Sequence, residues 1–290
     1  MKKILITGKD SYIGVSFENY IRQFDGYSVE TVDMIDGSWR NMSFAQYDVV
    51  FHVAGIAHSD FGKISEERKS IYYKVNTDLA IETAKKAKEE GVKQFVFMSS
   101  ASVYGESAPI GKIKRITKDT QPSPANYYGD SKVQAEKGLE LLKDGDFKIV
   151  VLRPPMIYGE NCKGNYPTLS KFAKKLPAFP YVKNERSMLY VGNLTEFIKL
   201  MIDNNEDGVF FPQNAEYTNT SELVKLISQV HDKHLLLVKG FSWALKITSK
   251  FTGLVNKAFG NLTYDMELSE YKCNYRKYSL KESIEKTENL

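Results

Sequence analysis

The chain opens on an apolar run that ends in a glycine turn and passes into a helix. Lys3-Ile4-Leu5-Ile6-Thr7-Gly8 is apolar on consecutive positions, the pattern of a strand buried on both faces. Gly8-Lys9-Asp10-Ser11-Tyr12-Ile13-Gly14 turns the chain into a helix expected to run through Arg22. Further strands are expected at Tyr27–Asp33, Tyr47–Gly55, Lys93–Gly105 and Phe147–Arg153, and a last one at Gly208–Pro212. Helices are expected between them, at Ile71–Glu90 with Gly91 as its C-terminal stop, and from Tyr128 to Leu142. Strands alternating with helices indicate an α/β fold, and 290 residues suit one large domain or two packed ones.

The turn after the first strand has the form of a dinucleotide phosphate site. Backbone N–H groups and the helix dipole face an anion there. Gly8, Ser11 and Gly14 occupy the three spaced positions, with Tyr12 and Ile13 opening the helix. The middle position is usually glycine, so the Cβ of Ser11 is expected to loosen the approach of a pyrophosphate. Asp33 ends the second strand at about the spacing expected for a carboxylate on the adenosine ribose. Its charge favours NAD and repels the 2′-phosphate of NADP, while Arg40 keeps NADP open. Ala54 and Gly55 are small enough for the chain to pass a flat cofactor. His52 reads as a packed strand-end histidine. Asn76 is polar at a position suited to burial, and is expected to hold a water or the lysine near a cofactor.

The chemistry centres on Ala125-Asn126-Tyr127-Tyr128-Gly129-Asp130-Ser131-Lys132. Tyr128 and Lys132 lie four apart on a helix and share a face. A tyrosine with a pKa of about 10 is a poor base at neutral pH. A nearby ammonium lowers that value, so Lys132 is expected to poise Tyr128 for proton transfer with an alcohol. Ser100 ends its strand where ligands bind in open α/β sheets, and could hydrogen-bond a substrate oxygen opposite Tyr128.

Composition excludes several classes. Hydrophobic residues at 42% and charged residues at 26% are ordinary for a soluble protein, and a net charge of +4 does not point to nucleic acid. Cys162 and Cys273 stand in no metal spacing, so no metal is expected, and a reducing, cytoplasmic setting is the default. No run approaches the ~20 apolar residues of a membrane span, and no signal peptide is apparent.

Six stretches in one order resemble the extended short-chain dehydrogenase/reductase family of nucleotide-sugar epimerases, dehydratases and ketoreductases. They are Thr7-Gly8 to Gly14, His52-Val53-Ala54-Gly55, Ser99-Ser100-Ala101-Ser102-Val103-Tyr104-Gly105, Tyr128 to Lys132, Arg153-Pro154-Pro155-Met156-Ile157-Tyr158-Gly159, and Arg186 to Leu194. The likeness runs from residue 4 to about residue 212, with Ser11 as its departure. It implies a Rossmann-type doubly wound parallel sheet with a smaller mixed α/β substrate domain. The dinucleotide domain is expected at 1–155 plus 187–212, and the substrate domain at 156–186 plus 213–290. The likeness also implies Ser100, Tyr128 and Lys132 as the catalytic set. Pro155 would join the cofactor contacts, and Ala101, Ser102, Asn165 and Arg186 would join Ser100 in meeting the sugar nucleotide.

Within the family, the Arg153–Gly159 stretch, the Cys162–Asn165 loop and Phe259-Gly260-Asn261-Leu262-Thr263-Tyr264 are most similar to bacterial reductases. Those enzymes act on UDP-N-acetyl-4-keto-6-deoxyhexoses in capsule and O-antigen assembly. A 4-ketoreductase is therefore the first expectation, and a UDP-sugar 4-epimerase the alternative. A non-catalytic NAD(P) sensor is remote, because tyrosine, lysine and serine are all present.

In the second half, helices are expected at Thr168–Lys175, Gly192–Asp203 and Thr220–Val230, the last capped by Thr220 or Ser221. Lys171, Lys174 and Lys175 read as a solvated face. Residues 240–260 are amphipathic and basic, which suits a lid or a homodimer contact better than a membrane surface. The charged tail from Ser279 is expected to fray.

Overall fold

A computed structural model describes residues 1–56, 65–240 and 258–289. It divides into two compact units, the first of Met1–Gly105, Gln121–Pro154 and Thr195–Pro212, the second of Glu106–Thr120, Pro155–Leu194 and Gln213–Leu290.

The first unit is built on a six-stranded parallel sheet. Its strands are β1 (Lys2–Thr7), β2 (Tyr27–Val32), β3 (Val49–His52), β4 (Gln94–Met98), β6 (Lys148–Leu152) and β10 (Gly208–Phe210), in spatial order β10-β6-β4-β3-β1-β2. Every neighbouring pair is parallel. The apolar runs read from the sequence are the buried strands: Ile4, Leu5, Ile6, Phe51, Phe95 and Phe97 are fully enclosed. Where a six-stranded Rossmann sheet has a third strand outside the second, this chain has a short 3-10 turn at Ser38–Asn41, with Trp39 in the core. The order of the sheet reverses at β1, so β1 and β3 frame a switch point, the crevice where open α/β sheets take ligands.

The helices of this unit are α1 (Tyr12–Ile21), α2 (Glu66–Tyr73), α3 (Leu79–Glu89) and α4 (Tyr127–Glu140). Helix α1 buries Gly14, Phe17 and Ile21, one face at helical spacing. The single helix expected at Ile71–Glu90 begins earlier, at Glu66, where the Ser65 hydroxyl caps it by accepting from the Arg68 N–H. A π turn at Lys74–Asp78 separates α2 from α3. It shifts the register of the buried face, so Asn76 and Thr77 both point inward and Val75 does not. The fourth strand stops at Met98 instead of running to Gly105, and a 3-10 turn at Ala101–Tyr104 follows.

The second unit has three two-stranded parallel ribbons. These are β5 (Arg115–Ile116) with β12 (Thr263–Tyr264), β7 (Met156–Tyr158) with β9 (Met188–Tyr190), and β8 (Ala178–Pro180) with β11 (Leu236–Val238). Helices α5 (Asn165–Lys175), α7 (Thr220–Val230) and α8 (Leu280–Thr287) pack around Tyr166, Leu169, Leu223, Ile227 and Ile284. Helix α6 (Val191–Asp203) starts in this unit and continues in the first.

Four expectations are corrected. Residues 106–120 fall in the second unit, because β5 pairs with β12 and Ala108 bridges Asn261. Residues 187–194 join them through the β7–β9 pairing. The cap of α7 is Asn219, whose Oδ1 accepts from the N–H groups of Ser221 and Glu222. The tail does not fray: Ser279 and Glu282 form a reciprocal capping box, and Glu288 bonds His231 (2.7 Å), Ser170 (2.9 Å) and Lys174 (3.0 Å). The amphipathic stretch 240–260 lies, from 241 to 257, outside the described residues.

One glycine sets how closely α4 approaches the turn after β4. A Cβ on Gly129 would lie 2.4 Å from the Ser102 carbonyl oxygen and 3.0 Å from its carbon. Backbone cannot yield as a side-chain tip can, so Gly129→Ala is expected to destabilise the first unit by about 1–3 kcal/mol, the usual cost of overpacking. Urea unfolding measures the loss.

Candidate active site

The first-unit residues singled out from the sequence gather at the carboxyl ends of β1, β3 and β4. Gly8 leaves β1 at φ +107°, and a Cβ there would lie 2.8 Å from the Ala54 nitrogen. Strands β1 and β3 therefore come together behind the turn only because residue 8 has no side chain. The N–H groups of Gly8 and Lys9 reach the Val32 carbonyl at 3.0 and 3.3 Å, which draws the end of β2, and Asp33 with it, beside the same turn. Asp33 accepts from the Ile35 N–H at 2.8 Å.

Ser11 has a use the sequence did not reveal. It is the N-cap of α1, and its Oγ accepts from the Gly14 N–H at 3.1 Å. Gly14 is required in turn, since a Cβ there would fall 2.4 Å from that Oγ and 3.0 Å from Val53. Tyr12 and Ile13 open the helix, whose first-turn N–H groups have no carbonyl partner within it. Glycine-lined space, a helix N-terminus and a carboxylate at the end of the second strand fit the pyrophosphate and ribose of a dinucleotide.

Tyr128 and Lys132 project from the first turns of α4, which the Asn126 side chain caps through the Gly129 N–H at 2.9 Å. Two residues of the π turn hold this end of α4. Thr77 Oγ1 donates to the Ser131 carbonyl at 2.7 Å, and Asn76 Nδ2 donates to Ser131 Oγ at 3.1 Å. Asn76 also accepts from the Ile56 N–H at 2.9 Å and donates to the Ile56 carbonyl at 3.2 Å. It was expected at a water or the lysine; it ties the strand-end loop to the helix. Gly55 fits between them, since a Cβ would lie 2.9 Å from Asn76 Oδ1 and 3.4 Å from Lys132 Nζ.

Lys132 is 5% exposed. Its Nζ donates to the Met98 carbonyl at 2.8 Å and lies 4.7 Å from the centre of the Phe97 ring. Burial lowers its pKa to about 8, and the Glu136 carboxylate acts in the opposite direction. Tyr128 hydrogen-bonds Ser100. Burial raises its phenol above the ordinary value, and the Ser100 bond acts to lower it. The expectation that Lys132 lowers the Tyr128 pKa is thus corrected. Burial dominates, and the ammonium is directed at Met98.

Ser100 Oγ caps the turn after β4, with Ser102 N–H and Ser102 Oγ each at 3.1 Å. Ala101 is buried, its N–H bonded to the Pro154 carbonyl at 2.9 Å. His52 is packed as expected. Its Nδ1 is 2.8 Å from Thr7 Oγ1, and burial, then the Lys132 charge, lowers its pKa to about 3, so it stays neutral.

Pro155, Asn165 and Arg186 belong to the second unit. Asn165 opens α5. Arg186 bridges Thr218 through its backbone and donates from Nη1 to the Ala258 carbonyl at 3.1 Å, and burial lowers its pKa to about 10. Sequence reasoning missed Ser99, Ser131, Thr77 and Glu136. Only Glu136 carried a signal, being one turn beyond Lys132.

Residues 4–211 match the family described as NAD dependent epimerase/dehydratase family. The chain belongs to that family. It is 29% identical over 290 aligned residues to the UDP-glucose 4-epimerase of Vibrio cholerae, covering 91% of this chain and 88% of that one. It is 30% identical over 239 aligned residues to the N-acetyl-alpha-D-glucosaminyl-diphospho-ditrans,octacis-undecaprenol 4-epimerase of Escherichia coli O157:H7, covering 76% and 68%. The solved UDP-glucuronic acid 4-epimerase of Bacillus cereus shares the fold, at a TM-score of 0.73 and 17% identity over 99% of this chain and 97% of that one. The protein is an enzyme of the NAD-dependent nucleotide-sugar epimerase, dehydratase and reductase kind. Among the described residues no helix is long and apolar enough to cross a membrane.

The buried ammonium has a measurable consequence. A lysine whose pKa falls on folding from about 10.4 to about 8 penalises the folded state when charged. The penalty is complete below pH 8, shrinks as pH rises, and vanishes above the unfolded value. Lys132→Met removes it. The unfolding free energy of the native chain relative to K132M is expected to rise by about 2–3 kcal/mol between pH 7.5 and pH 10.5. Denaturant unfolding of both proteins across that range tests this.

Proposed function

We propose that this protein is an NAD-dependent 4-epimerase of a sugar carried on a diphosphate, a UDP-sugar in the first instance. Ser100, Tyr128 and Lys132 are its catalytic set. The observation that carries the reading is the likeness to 4-epimerases over most of the chain, joined to a hydrogen-bonded Ser100–Tyr128 pair one turn from a buried lysine. The 4-ketoreductase expected from sequence becomes the second reading. Ser11 favours it, because the serine adds a Cβ at the phosphate turn and commits one first-turn N–H to its own hydroxyl.

When bound, NAD would supply the acceptor, and then the donor, of a hydride at the sugar C4. Gly8, Ser11, Tyr12, Ile13 and Gly14 would hold the pyrophosphate, Asp33 the adenosine ribose, and Ala54, Gly55, Asn76 and Pro155 the remainder. Tyr128 takes the proton of the C4 hydroxyl as that carbon becomes a ketone, and returns it when the alcohol is rebuilt. Ser100 donates to the same oxygen. Lys132, whose ammonium is directed at the Met98 carbonyl and not at the phenol, would hold the nicotinamide ribose. Ala101, Ser102, Asn165 and Arg186 would meet the substrate. The sugar starts and ends at one oxidation level, so no reduced cofactor is consumed.

Asp33 supports NAD over NADP by charge. Arg40, the residue able to offset it, is engaged elsewhere: its Nε and Nη2 meet the Glu82 carboxylate at 2.5 and 2.6 Å, and its guanidinium lies over Trp39. The Michaelis constant is expected to be lower for NAD(H) than for NADP(H), and a strong preference for NADP(H) refutes the reading of Asp33.

The purified protein is expected to carry NAD and to convert UDP-glucose or UDP-N-acetylglucosamine to its 4-epimer without added cofactor. Tyr128→Phe should lower turnover by about two to four decades. A protein free of dinucleotide that oxidises NADH with a UDP-4-keto-6-deoxy-N-acetylhexosamine would establish the reductase instead. Turnover confined to polyprenyl-diphosphate-linked N-acetylglucosamine would keep the chemistry and replace the carrier.

A further inference from the structure

Glu136 lies one turn beyond Lys132 on α4, and its side chain is only 9% exposed. Two side chains converge on its carboxylate. Arg153, just past the end of β6, binds it with both arms of a fork, Nε to Oε1 at 3.1 Å and Nη2 to Oε2 at 2.5 Å. The Ser99 hydroxyl donates to Oε1. Arg153 in turn donates from Nη1 to the Tyr104 hydroxyl at 2.6 Å, at the end of the turn that begins beside Ser100. We propose that Glu136 is a positioning residue, its carboxylate tying the strand end that carries Ser100 to the helix that carries Tyr128 and Lys132, and placing an anion one helical turn from Lys132.

The geometry explains why a carboxylate is needed. An amide cannot accept a guanidinium fork and a hydroxyl at once, whereas a carboxylate has two oxygens and about four lone-pair sites. Ser99 is adjacent to Ser100, so the Ser99–Glu136 bond sets how far Ser100 stands from the helix that bears Tyr128. Charge follows the same path. Lys132 and Arg153 are two cations with Glu136 as their common anion. The other ionisable groups around Lys132 are Tyr128 on its own helix, neutral His52 on β3, and Tyr104 beyond Arg153. Of these, Glu136 is the one that acts to raise the Lys132 pKa. Removing its charge leaves the ammonium facing burial and a second cation, which shifts Lys132 toward the amine. Removing Arg153 instead leaves the carboxylate uncompensated and shifts Lys132 the other way.

The role rests on Lys132 being the catalytic lysine, but its test needs no substrate. Lysine labelled with carbon-13 at Cε reports the titration of Lys132, assigned by its loss in Lys132→Arg. Glu136→Gln is expected to lower the midpoint by about one pH unit or more, and Arg153→Met to raise it, in variants shown by circular dichroism to be folded. The opposite signs keep the test decisive if one variant fails to fold. A midpoint unmoved in a folded variant overturns the proposal. Once a substrate is in hand, the alkaline limb of the pH profile of kcat/KM should move down in Glu136→Gln by the same interval. A loss of rate equal at every pH, with the limb in place, would mark a merely structural contact. Failure of the epimerase reading would leave the Lys132 titration as it stands.

Discussion

A single buried ammonium governs the arrangement of the first unit. Lys132 must lose most of its water to stand beside Tyr128, and a desolvated cation is costly unless dipoles and charge are built around it. The chain meets that cost with the Met98 carbonyl, the face of Phe97 and the Glu136 carboxylate. Each makes a demand in turn. The Met98 carbonyl requires that β4 end just there. Glu136 requires Arg153, which draws in the end of β6. Gly55 must lack a side chain so that the loop after β3 can pass the Asn76 side chain that is bonded to it. Lys132 also penalises its neighbour His52 as a cation, which keeps that ring neutral.

The π turn between α2 and α3 belongs to the same arrangement. A regular helix would present its buried residues at intervals of three and four. One extra residue per turn lets Asn76 and Thr77, adjacent in sequence, both face α4. Together they hold Ser131, which lies between the tyrosine and the lysine, while Ser99 holds Glu136 farther along the same helix. Helix α4 is therefore held by side-chain hydrogen bonds at Ser131 and at Glu136, while Gly129 lets its backbone touch the turn after β4. Two clamps and a close approach restrict motion of the helix where a proton is to move, which is what preorganised catalysis requires.

At the phosphate turn the same economy of space appears with different residues. Gly8 permits β1 and β3 to meet, and Gly14 permits Ser11 to fold back as a cap. The departure from three glycines is thus compatible with the turn's geometry. Its effect is on the N–H groups left for an anion, since one is already satisfied by the chain itself.

The sequence by itself determined the strands of the sheet, the glycine turn, the helix that pairs Tyr128 with Lys132, and the membership of the family. All of these are written in local periodicity or in motifs whose residues are close in the chain. Only the tertiary structure decided the rest. The segment 106–120 joins the second unit because its strand finds a partner about 150 residues later. The tail is held because Glu288 meets Ser170 and Lys174 on α5 and His231 just past α7, which no local propensity encodes. The direction of the Tyr128 shift depends on burial and on where one flexible lysine points, and both are properties of the folded surroundings rather than of the four-residue spacing. Glu136 stood in plain view one turn from Lys132, but its partners Ser99 and Arg153 lie just past the ends of β4 and β6, and only folding brings them to it.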